Sequence, residues 1–89
     1  MEITFTRPAR RDLERIHAVI ARDDPGRAYD VLAHIRVAIN RLAVYPGLGR
    51  PGKKAGTREL IVPHLLYKVP YRVRGEKILI LRVLHTRQQ

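Results

Sequence analysis

The side chains best equipped for chemistry gather in the last third of this 89-residue chain: Arg58, Lys68, Arg72, Arg82 and His85. Guanidinium groups bind phosphates through planar, forked N–H donors and can stabilise the charge that grows on a phosphate during transfer. A histidine beside them could take the proton from an RNA 2′-hydroxyl, leaving a cyclic phosphate. Two other uses of the same residues stand next to that one. The cations could simply contact a polyanionic or acidic partner, or Arg58 and Arg82 could pair with Glu59 and Glu76 at a sheet's rim, with His85 purely structural. Spacing sets the condition for the enzymatic use. Arg82 and His85 are three apart in sequence, so an ideal strand sends them to opposite faces, and they share a site only if the chain frays or bulges after Val83. Arg58 and Arg72 lie near opposite ends of neighbouring antiparallel elements and could be brought together.

The element that must position the last of these is residues 77–85, K-I-L-I-L-R-V-L-H. Ile78, Ile80 and Leu84 point to one face of a strand, and Leu79, Leu81 and Val83 to the other. A strand apolar on both faces is central and covered on both sides. Arg82 is then an anomaly, because a cation inside such a run must find a partner, a ligand or the rim. Two strands precede it, at 57–62 and 66–73, joined by turns at Pro63-His64 and at Arg74-Gly75-Glu76. The middle strand divides into Tyr67, Val69, Tyr71 and Val73, suited to a core, and Leu66, Lys68, Pro70 and Arg72, an open basic face. Pro70 cannot donate to a ladder and belongs at an edge or a bulge.

The first half supplies the scaffold. Glu2 to Thr6 alternates like a short strand, and Thr6 with Pro8 makes a helix start. Ala9, Leu13, Ile16 and Ile20 form one helical stripe, which leaves Asp12, Glu14 and the arginines around them for a solvated face. Asp24-Pro25 caps a second helix, whose stripe of Ala28, Leu32, Ile35, Ile39 and Leu42, widened by Val31, Ala38 and Tyr45, predicts an end near Tyr45. So short a break makes the pair an antiparallel hairpin. His17 and His34 fall within these helices in structural roles. Leu32 and Ile80 are expected to be fully buried.

Between the halves, residues 46–56 hold four glycines and two prolines with Arg50, Lys53 and Lys54. This cationic loop can approach phosphates closely, but it lacks the strand, spacing and Ser/Thr of a P-loop; the plain alternative is a solvated connection. The predicted fold is α+β: a strand, a helical hairpin packed on one face of the sheet, then a three-stranded antiparallel meander, in one domain over 1–89.

Composition narrows the function classes. The chain has no cysteine, hence no disulfide framework and no thiolate metal site, and its residues call for no cofactor. No apolar run approaches the roughly 20 residues of a membrane span, and M-E-I-T-F-T-R lacks the zones of a signal peptide, so a cytoplasmic protein is the expectation. With 18 Lys+Arg against 8 Asp+Glu, the net charge of +10 favours a nucleic acid or an acidic protein as partner.

The run G-T-R-E-L-I-V-P-H-L-L-Y-K-V-P-Y-R-V-R-G-E-K-I-L-I-L-R-V-L-H-T-R-Q resembles the C-terminal half of RelE/ParE superfamily toxins, the toxic partners of type II toxin–antitoxin modules. R-D-L-E-R-I on the first helix, R-L-A-V-Y-P at the end of the second and G-R-P-G after it fit the same family in order. The resemblance implies a growth-inhibiting toxin held inactive by a cognate antitoxin with an acidic or amphipathic segment. RelE-like members cleave mRNA on the ribosome; ParE-like members act on DNA gyrase and are not nucleases. Carried over from the nuclease branch, Arg58, Arg72, Arg82 and His85 sit at or near basic or catalytic positions, while Arg50, Lys53, Lys54, Lys68 and Arg87 would contact the target or its phosphates. Many nucleases continue into a C-terminal tyrosine or further basic residues, where this chain reads Arg87-Gln88-Gln89. The Y-R-V and L-H-T-R-Q wording also occurs in ParE-like chains, which favours gyrase over the ribosome. A basic nucleic-acid-binding module with no toxin role is the third reading.

Overall fold

The computed structural model describes residues 1–87. Its elements are β1 (Glu2–Phe5), α1 (Arg7–Ala21), α2 (Pro25–Asn40) with a 3₁₀ turn (Arg41–Ala43), β2 (Arg50–Pro51), β3 (Arg58–Ile61), β4 (Tyr67–Arg74), β5 (Lys77–Ile80) and β6 (Leu84–His85). The strands form one mixed sheet in the order β1-β5-β4-β3-β2, with β6 returning beside β4. β1 lies parallel to β5, which makes β5 an interior strand, and the other pairings are antiparallel.

The helix starts follow from the residues that cap them. The Thr6 hydroxyl accepts the Ala9 N–H and donates to backbone carbonyls at the end of β5, so one side chain begins α1 and ties it to the sheet. Asp24 accepts the Arg27 N–H, and Pro25 stands at the first helical position, where its missing N–H matters least. The hairpin buries Ala9, Leu13, Val31, Ile35, Ala38, Ile39 and Leu42 against Leu60, Val69, Tyr71, Ile78, Ile80 and Val83 of the sheet layer. Two details differ from the helical stripe. Leu32 is only half-buried, because it faces the outer groove between the helices, and Tyr45 is 59% exposed, because α2 ends at Asn40 and the chain tightens before reaching it.

The long terminal strand also differs. It breaks after Ile80 and resumes at Leu84. Tyr71 pairs with Ile80, but Lys68 pairs with Leu84, so Leu81, Arg82 and Val83 stand opposite only Val69 and Pro70. This is a bulge of one residue. The cause lies in β4. The Pro70 carbonyl accepts the Leu81 N–H, so the edge of Pro70 that faces the bulge is the one with no N–H to offer. Beyond the bulge the faces exchange: Val83 is buried in the core, and Leu84 turns to the open face, the reverse of an ideal strand.

Candidate functional site

The bulge is held from below by a carboxylate. Asp12 is 2% exposed and lies on the buried side of α1, not on a solvated face. Its Oδ2 accepts the Arg82 Nε–H (2.7 Å) and the Val83 N–H (2.9 Å); its Oδ1 accepts Nη2–H groups of Arg82 (3.0 Å) and Arg15 (2.8 Å). Burial pushes this carboxyl up, but the Arg82 hydrogen bonds, the Val83 N–H and the charges of Arg82 and Arg15 outweigh it and hold Asp12 below the ordinary carboxylate value. The same contact raises Arg82 further above its ordinary value. Arg82 therefore finds its partner seventy residues upstream on α1, and not in Glu76.

His85 lies elsewhere. Its ring stands edge-on to Tyr67, with centroids 5.8 Å apart, and Nδ1 accepts the Arg87 N–H at 3.2 Å. It lines a groove of about 360 Å³ floored by Ile16, Val19, Ile20 and Val83, which Asp12 also lines, with Arg15 and Arg87 at the rim. Arg82 lines separate hollows, on the open face of the sheet and beside Arg11. The bulge that could have united Arg82 and His85 falls between Ile80 and Leu84, ahead of the expected place, and leaves the two lining different cavities.

The other cations are also distributed. Arg58 pairs across the sheet with Tyr71, which puts it on the face opposite to Arg72, and its Nη1–H donates to the Gly49 carbonyl at 2.8 Å. Arg72 reaches the turn at Gly56. Arg50 lies 3.7 Å from Glu59, the carboxylate that the sequence offered to Arg58. Lys68 is 9% exposed, its stem covered, and with Lys53 and Lys54 it lines a hollow of about 250 Å³ on the open face. That face is basic, as the alternation in β4 implies.

The loop over residues 46–56 is more than a solvated connection. The Tyr71 hydroxyl donates to the Pro46 carbonyl (2.7 Å) and accepts the Gly49 N–H (2.8 Å). A Cβ at position 49 would sit 2.7 Å from the Tyr71 ring and 2.8 Å from the Glu59 carbonyl oxygen, so only glycine lets the loop dock here. His34 is structural, with Nε2 2.7 Å from the Pro63 carbonyl, and His17 lies exposed on the outer groove between the helices.

Sequence reasoning missed Asp12 and Arg15, although two signals were present. Asp12 stands three residues after Ala9 and four before Ile16, inside the apolar stripe, and Arg82 is the one cation inside the apolar run 78–84. A carboxylate on a buried helix face and a cation in a buried strand are complementary anomalies.

Comparison with known proteins accords with this geometry. Residues 3–89 match the family model described as the ParE toxin of the type II toxin–antitoxin system parDE. The chain is 44% identical over 87 residues to "Putative toxin Y4kP" of Sinorhizobium fredii, covering 98% of this chain and 90% of that protein. Among solved structures it is similar to a chain of the chromosomal ParDE system of P. aeruginosa, with a TM-score of 0.86 and 30% identity over 96% of this chain and 95% of that one. It is also similar to a chain of the RelBE2 toxin–antitoxin complex of Mycobacterium tuberculosis, with a TM-score of 0.64 and 28% identity over 94% and 95% of the two chains. The short first strand, the helical hairpin and the bulged meander thus belong to a member of the ParE toxin family of type II toxin–antitoxin systems.

Proposed function

We propose that this chain inhibits growth as a ParE-like toxin, acting in the cytoplasm by binding DNA gyrase and not by cutting RNA. One observation carries the reading: the groups a ribonuclease needs do not converge. Arg82 is held on Asp12 and lines hollows that His85 does not, Arg58 is bonded to the Gly49 carbonyl and Arg72 lies on the opposite face, while His85 lines a groove with an apolar floor. A general base acts only within hydrogen-bond reach of the proton it removes, next to the groups that hold the phosphate. Convergence of the fold with the ParDE chain, closer than with the RelBE2 chain, supports the same side. The RelE-like alternative, a ribosome-dependent mRNA endoribonuclease, has one observation in its favour: Arg15 and Arg87 rim the groove that holds His85.

The structural neighbours come from toxin–antitoxin systems, and this chain's surface suits such a partner. Its net charge of +10 attracts an acidic polypeptide, and the outer groove between α1 and α2, with Leu13, Tyr29 and Leu32, suits the apolar face of an amphipathic segment. The deciding experiment runs purified protein in two assays, gyrase supercoiling and cleavage of mRNA on a programmed ribosome. Inhibition of supercoiling without cleavage is expected; cleavage with gyrase unaffected would overturn the proposal.

A further inference from the structure

Around Asp12 the chain gathers more positive charge than its one carboxylate neutralises. Arg15 and Arg82 both place Nη2 on the same oxygen, at 2.8 and 3.0 Å, so these two nitrogens lie within about 6 Å of each other. Arg11 completes the wall of the same open hollow, with Pro8 at its edge. Two guanidinium groups hold one carboxylate and a third, that of Arg11, lines the same hollow, a local excess of two positive charges. The carboxylate does not repel an incoming anion as an exposed one would. It is 2% exposed, and both oxygens are saturated by donors.

Asp12 instead works as an anchor. It takes Nε and Nη2 of Arg82 and leaves Nη1 on the outer edge; from Arg15 it takes only Nη2, leaving Nε and Nη1. Side chains of 62% and 44% exposure are held by a buried partner, so their outward N–H groups are oriented before any ligand arrives. Forked N–H donors held close together match the oxygens of a phosphate group.

We propose that Arg11, Arg15 and Arg82 form a phosphate-binding cradle organised by Asp12, and that the phosphate it takes is a phosphodiester of a nucleic-acid backbone. The hollow is shallow and open, so it cannot enclose a small anion. It suits a phosphate presented by a polymer that continues over a surface of the same charge. This site adjoins the groove of His85, with which it shares Asp12 and Arg15, and the hollow of the open-face lysines, which Arg82 also lines; it goes beyond the choice of toxin target.

The test uses the full chain and keeps Asp12 and Arg82 in place, so that the bulge stays anchored. Arg11→Gln and Arg15→Gln, singly and together, are compared with the double change Lys53→Gln and Lys54→Gln, which removes the same charge from the loop. Anisotropy of a labelled short DNA duplex is followed across a salt series, with thermal melts as the control for folding. Each cradle arginine should be worth roughly tenfold in affinity at about 0.1 M salt, and the double cradle variant should flatten the slope of log K against log salt by about two. The loop variant should change both much less. Equal losses in the two double variants would overturn the cradle, as would binding of poly-glutamate as tight as that of the duplex, or no duplex binding at all. Inorganic phosphate, titrated against the Nε–H NMR signals of Arg15 and Arg82, separates the sources. Shifts with phosphate but no duplex binding would keep the phosphate chemistry and overturn its polymeric source.

Discussion

Replacing Asp12 by asparagine removes one charge and almost no volume, yet it should be among the most damaging single changes in the chain. The carboxylate accepts four hydrogen bonds, two at each oxygen. An amide keeps one oxygen and turns an NH₂ group toward two donors, so two of the four bonds are lost whichever way it is oriented. If the NH₂ faces Arg82 Nε and the Val83 N–H, the Val83 donor has no access to water, since Val83 is 2% exposed, and an unsatisfied buried donor costs about 1–3 kcal/mol. The lost charge-assisted bonds to arginine would each add about 1.5–3 kcal/mol if fully buried, but Arg82 is 44% exposed and can turn to solvent, so less than half of that applies. A loss of about 2–4 kcal/mol follows, against a total of roughly 4–13 kcal/mol for a chain of this size. The melting temperature should fall by roughly 10–25 °C at neutral pH. The pH profile supplies the second arm. Because the folded-state pKa of Asp12 lies below its ordinary value of 3.8, the stabilisation is complete above that value and disappears as pH falls through the folded pKa. Wild type and Asp12→Asn should therefore converge in acid and diverge toward neutral pH. Calorimetry of both proteins over that range decides it; near-equal melting at neutral pH, or a gap that persists undiminished in strong acid, would refute the argument.

Other outcomes are expected. Tyr71→Phe strips the Gly49 N–H and the Pro46 carbonyl of their partner and should cost about 1–3 kcal/mol in urea unfolding, while freeing the loop to faster amide exchange. Ile80→Ala, at a fully buried position, should cost about 2–5 kcal/mol, and Leu32→Ala, half-buried, distinctly less by the same measurement. His85→Ala should leave growth inhibition and gyrase inhibition largely intact. A loss of about 10²–10⁴-fold in single-turnover mRNA cleavage by that variant would instead mark His85 as a general base.

Much of the fold is legible in the sequence because it is written in local chemistry. Thr6 and Asp24 act as caps through their own hydroxyl and carboxylate, and Gly75 takes a φ of +55° in the tight turn before β5. The parallel pairing of β1 with β5 joins segments with no local signal in common; it becomes visible only when Ile3 lies beside Ile78 and Phe5 beside Ile80. The site was harder to read for the same reason. Alternation assigns faces correctly up to Ile80, but it assumes an unbroken period of two, and one residue in excess opposite Pro70 inverts every assignment after it. Arg58 shows the other limit, since its partner is the Gly49 carbonyl, and a backbone acceptor leaves no trace in residue types.

The bulge also has the character of a phase shift. Upstream of it, odd and even positions are tied to the core by β1, β4 and β5; downstream, the rule is reversed over Leu84 and His85. The tip of the sheet is therefore indexed separately from its body. Removing a single residue between Ile80 and Leu84 would leave two residues opposite Val69 and Pro70, so the excess would vanish while Leu84 stayed opposite Lys68 and His85 opposite Tyr67. The inversion is thus one of count and not of pairing: β4 dictates which face each residue of the tip takes, and the extra residue only shifts the parity by which the chain arrives there.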